Sequence, residues 1–148
     1  MKKFILTGLV SGIILGSLSP NILAVNVHSG SHPSASQIQN ATHHFEFDVM
    51  GKFPLESLII QLPQGLTIND VEIAMSNGNK INSQTSISDN KAIVNLGENI
   101  KPNTKIYVSL RGVKTDGKPH TWQYRLSGKF AGINQEIPLG LTQVRTYY

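Results

Sequence analysis

The sequence contains no cysteine. That excludes a disulfide scaffold and a cysteine nucleophile, and leaves the core to stabilise the fold unaided. No apolar run reaches the roughly 20 residues a spanning helix needs. Neither a G-x-S-x-G elbow nor an H-E-x-x-H motif occurs. No repeat of fixed period is present, and no Met cluster points to Cu(I). Gly112 to Pro119, GVKTDGKP, approaches the phosphate-cradling loop pattern. Pro119 stands where a hydroxyl must reach magnesium, so this reads as a loop or hairpin connection at Asp116-Gly117. The net charge of +4 includes Lys2 and Lys3 and is too small to imply nucleic acid.

What is present begins with MKKFILTGLVSGIILGSLSPNILA. Lys2 and Lys3 form a basic start, Phe4 to Leu18 an uncharged apolar stretch, Pro20 a break and Ala24 a small residue for cleavage. Residues 1–24 therefore read as a helical signal peptide. Export to the periplasm, outer envelope or exterior is expected, with a mature chain that starts near Val25 and has no membrane span. No cysteine follows the apolar stretch, which excludes a lipoprotein.

Residues 25–42 are polar and read as a linker or an irregular leading edge. From residue 43 the pattern changes to strands. In HHFEFDV, Phe45, Phe47 and Val49 alternate with His44, Glu46 and Asp48. In LESLIIQL, Leu58, Ile60 and Leu62 share a face. Pro63-Gln64-Gly65 then turns the chain, and DVEIAM restarts the alternation at Val71 and Ile73. Further turns are expected at Asn77-Gly78, Asp89-Asn90, Lys101-Pro102-Asn103 and Asp116-Gly117. They separate KAIVNL, TKIYVSLRGV, HTWQYRLSGKFAG and a closing LTQVRTYY. Residues 43–148 thus form one all-β domain, a sandwich or barrel of about seven to nine strands. Its expected core holds Phe45, Phe47, Leu58, Ile60, Val71, Ile73, Val108, Leu110 and Trp122. Gly128 fills a slot beside Leu126 and Phe130.

The succession ATHHFEFDV, PLESLIIQLPQGL, NIKPNTKIYVSLRGV and TQVRTYY resembles the cyanobacterial secreted proteins grouped as domain-of-unknown-function family 2808. The resemblance runs from about Ala41 onward. It departs from the family pattern at His43-His44, where aromatics are usual. It implies an immunoglobulin-like β-sandwich outside the cytoplasm, and supplies no catalytic residues.

Charge is uneven along the chain. Val25 to Ile100 holds three lysines against seven acids, whereas Lys101 to Tyr148 holds eight basic residues against two acids. Lys105, Tyr107 and Arg111 share one parity on a strand, and Arg125 and Lys129 share one on the next. If both faces lie on one sheet, they form a basic surface for an anionic glycan or an envelope component. The same residues equally suit solvated strand faces. Histidines offer an alternative. His28, His32 and His43 converge on copper or zinc only if the leading segment folds back, because His43 and His44 point to opposite faces. The expected function is an exported, non-catalytic module that binds a glycan, protein or other envelope component, with no cofactor. The alternatives are a periplasmic metal-binding protein and an enzyme with a dispersed site.

Overall fold

The computed structural model describes residues 25–148, and for 25–28 the backbone alone. The expected signal segment lies outside the described residues, as does the side chain of His28. The described residues contain no helix and ten strands. These are β1 (Val25–His32), β2 (Ala41–Val49), β3 (Leu55–Gln61), β4 (Asp70–Met75) and β5 (Lys80–Ile81). They continue with β6 (Ser83–Ser88), β7 (Lys91–Ile100), β8 (Thr104–Val113), β9 (Thr121–Phe130) and β10 (Ile137–Arg145). Two five-stranded sheets run in the orders β1-β2-β8-β4-β5 and β10-β9-β3-β7-β6. Every pairing between these strands is antiparallel.

Alternation sets the inner faces. On β2, Phe45, Phe47 and Val49 are buried, and His44, Glu46 and Asp48 are half-buried on the outer face. Phe45 lies opposite Val108 and Phe47 opposite Ile106, so one register buries both strands at once. β3 is the middle strand of the second sheet and is buried on both parities. Leu58 and Ile60 belong to the core, while Ile59 sits between Ile93 and Ser127 on the neighbouring strands. All nine expected core residues are buried in one cluster.

The proline-glycine break after β3 is the corner where the chain leaves one sheet for the other. Gly65 takes φ +81°, a left-handed conformation that a side chain would strain. β4 then pairs with β8 in the opposite sheet. Asn77-Gly78 closes the β4–β5 hairpin, with Gly78 at φ +88° and its N–H donating to the Met75 carbonyl at 2.9 Å. Asp89 adopts φ +52° to close β6 onto β7. Lys118 N–H donates to Asp116 Oδ1 at 2.9 Å, and β9 follows. The loop that approached a phosphate cradle is therefore a turn between strands.

Three features depart from the expectation. Residues 25–32 form an edge strand, with Ser29 opposite Phe45 and His32 opposite Thr42. Only 33–40 are irregular, and β2 begins at Ala41 rather than 43. β5 is a two-residue strand that alternation over so short a length cannot reveal. β10 begins at Ile137, ahead of LTQVRTYY, because a register shift between Pro138 and Gly140 absorbs two residues poor at strand formation.

Candidate functional site

The residues expected to form a basic face are divided between the sheets. Lys105, Tyr107 and Arg111 lie on β8, while Arg125 and Lys129 lie on β9 in the opposite sheet. Outward parity on two sheets of a sandwich puts side chains on opposite sides of the molecule. The β8 members also face acids from their neighbours. Lys105 Nζ lies 3.3 Å from Glu46 Oε1 and 3.9 Å from Asp48 Oδ1. Arg111 Nη2 donates to Glu72 Oε1 at 2.9 Å, and Lys80 Nζ lies 3.5 Å from the same oxygen. The hydrogen bond from Arg111 holds the Glu72 carboxyl below the usual carboxylate range. Such exposed pairs stabilise by no more than about 1 kcal/mol each, yet they cancel much of the charge that the face was expected to offer. On β8, two cations of the C-terminal segment are thus offset by acids of the N-terminal half on neighbouring strands.

The structure also separates two of the three histidines proposed as ligands, His32 and His43. His43 points into the sandwich and is 1% exposed. Its Nδ1 lies 2.6 Å from the Tyr124 hydroxyl, which reaches across from β9. Tyr124 keeps its phenolic proton because burial raises its pKa. Donation from that hydroxyl to Nδ1 leaves the fewest groups unpaired. Burial, with the neighbouring His44 charge, pushes the His43 pKa down to about 4. His32 faces the other way and stacks on His44, with ring centroids 4.6 Å apart and planes 2° from parallel. His32 and His43 therefore do not converge. Among the described residues no three His, Asp or Glu side chains form a metal-holding group.

A feature that the sequence reading missed lies at the end of the sandwich where β2 meets β3. An open groove of about 340 Å³ is lined by Met50, Phe53, Phe130, Ile133, Ile137 and Leu139, with Gly51, Lys52 and Pro138 completing it. Met50 is 50% exposed and Phe53 46%, both on the β2–β3 connection. The available clue was the pair of large apolar residues flanking Gly51-Lys52, in a stretch where turn chemistry predicts polar residues. Lys52 is the one ionisable side chain among the lining residues, so the groove is predominantly apolar. β1 begins beside this end, since Val25 lies opposite Phe47 near the close of β2.

No family model matches the chain, and no curated protein matches it. Solved structures do. The full-length major pilin SpaD of Corynebacterium diphtheriae superposes with a TM-score of 0.58 at 16% identity, over 84% of this chain and 34% of the pilin. BslA, described as a bacterial hydrophobin, gives 0.55 at 14% identity, over 87% of this chain and 97% of BslA. The N-terminal domain of the Streptococcus gordonii adhesin Sgo0707 gives 0.51 at 12% identity, over 80% of this chain and 32% of the adhesin structure. The chain thus spans about a third of the pilin and adhesin structures and nearly all of BslA. At these identities the likeness carries the fold alone: this is an immunoglobulin-like β-sandwich of the kind that pilin and adhesin domains share.

Proposed function

We propose that the protein is an exported, non-catalytic β-sandwich module that contacts an apolar segment of an envelope component. The observation that carries this reading is the groove between the β2–β3 connection and the end of β9, the start of β10 and the loop that joins them. A sandwich with a sealed core has no structural need for Met50 and Phe53 in the open. The signal-like start supports export, as does the resemblance to secreted proteins of family 2808. The fold supports a binding role, because the similar structures are named a pilin, a hydrophobin and an adhesin. The division of the basic residues between two sheets argues against an anionic glycan as the main ligand.

The test compares the protein with its Phe53→Glu variant for retention on isolated envelope fractions at two salt concentrations. Phe53 is half exposed, so the variant should keep its melting temperature. Retention that falls at least tenfold in the variant and persists at high salt supports apolar contact. Equal retention of both proteins would remove the groove from the interaction.

A further inference from the structure

We propose that His32 and His44 chelate a borderline divalent cation, Cu(II) ahead of Zn(II), on the outer face of the β1–β2 pair. This site is independent of the apolar groove. The register places Gly30 opposite His44 and His32 opposite Thr42. His32 and His44 are therefore diagonal neighbours on adjacent strands and share a face. Gly30 leaves the position between them without a side chain. A Cβ there would stand 3.2 Å from His44 Cε1 and 3.4 Å from Nε2, so the imidazole occupies space that glycine provides.

The donors suit the ion. Imidazole nitrogen binds copper, zinc and nickel, and the usual order of affinity puts Cu(II) above Zn(II). The ligand must be a neutral imidazole, the form that ordinarily dominates at neutral pH. The side-chain hydrogen bonds made by described histidines belong to His43 and His120, so the nitrogens of the stacked pair are open to a ligand. Glu46 follows His44 on the same face of β2. An open cleft of about 460 Å³ beside His44 is bounded by Ser29, His44, Glu46, Tyr107 and Ser109, which leaves room at that ring for water to complete the coordination.

Stacked rings aim their lone pairs along parallel planes, so one ring must turn before both nitrogens reach one ion near 2 Å. His32 is exposed at the end of an edge strand, so its turn gives up only the stacking contact. Two imidazoles with water correspond to a micromolar site rather than a buried structural one.

The experiment titrates Cu(II), and separately Zn(II), into purified tag-free protein by calorimetry at neutral pH. The proposal expects one saturable Cu(II) equivalent in the micromolar range and weaker Zn(II). Cu(II) binding should weaken at least tenfold in His32→Ala and in His44→Ala, and stay unchanged in His120→Ala. Circular dichroism checks that each variant is folded. His28→Ala should retain the site with at most a modest loss. No saturable Cu(II) binding, or weakening in only one member of the pair, overturns the chelate. A site abolished by His28→Ala but preserved without His32 or His44 overturns it equally.

Discussion

The His43–Tyr124 pair should make the sandwich sensitive to mild acid. His43 is fixed in the core on β2 and its partner sits on β9, so their bond spans the two sheets. Its folded-state pKa is about 4, against an ordinary value of 6.5. A depressed pKa means that the unfolded chain takes up a proton at pH values where the folded chain does not. The stability this group contributes is complete above pH 6.5 and is lost as pH falls toward 4. The full gap corresponds to roughly 3 kcal/mol, a large part of the ordinary 5–15 kcal/mol of a domain. His44 is shifted in the same direction and its charge helps to lower the His43 pKa, so the profile is measured in the parent, with His44→Asn as a control in which part of the loss should disappear. Glu72 and Asp116 have carboxyl pKa values below the ordinary range, which places their losses at lower pH. Denaturant unfolding at pH 7.5, 6.5, 5.5 and 4.5, with chelator present, should show stability falling most steeply below pH 6.5. Tyr124→Phe should destabilise the protein at neutral pH by about 1–3 kcal/mol, because a buried imidazole nitrogen loses its donor. A flat profile between pH 7 and 5, or a Tyr124→Phe variant within about 0.5 kcal/mol of the parent, would refute this account of the pair.

Other outcomes are equally definite. Ile60→Ala should cost about 2–5 kcal/mol in denaturant unfolding, since the side chain is fully buried on the middle strand of its sheet. Gly128→Ala should lower stability by about 1–3 kcal/mol, because its Cβ would come within 2.7 Å of Leu55 Cδ1 and 3.3 Å of Leu139 Cδ1. Mass spectrometry of the exported protein should find a chain beginning near Val25, and an intact Met1 in a membrane fraction would replace that reading with an anchored one. Arg111→Glu with Lys129→Glu should change retention on anionic polysaccharide by the sum of the two single effects, because the two side chains lie on different sheets.

Alternation was legible wherever a strand has one apolar face. Phe45-Glu46-Phe47-Asp48-Val49 and Ile106-Tyr107-Val108-Ser109-Leu110 each state which side faces the core, and the structure agrees residue by residue. β1 carries no such statement. Its SGSH end is small and polar because the strand lies at an edge, and only the partner strand reveals it. His43 shows the same limit from the inside. Its parity with Phe45 placed it on the inner face, but its full burial depends on Tyr124, which is 81 residues away in sequence.

The distinction matters most for function. Parity along a strand is local, whereas the neighbours of a side chain depend on sheet order. Lys105 and Lys129 each read correctly as outward residues on their own strands, yet no local pattern could say that β8 and β9 belong to opposite sheets. Sheet order also brings Glu46 and Asp48 beside Lys105, and Glu72 beside Arg111, joining acids of the first half of the chain to cations of the second. The same sheet order has the opposite effect at the groove. Met50 and Phe53, from an early connection, meet Ile133 from a late one and Ile137 and Leu139 from the start of β10, with Lys52 the one ionisable side chain among the lining residues. Pairing thus removes a surface that the linear charge pattern advertised and creates an apolar one that it concealed. On the proposed reading, a partner is then met at the end of the sandwich rather than on its basic strands.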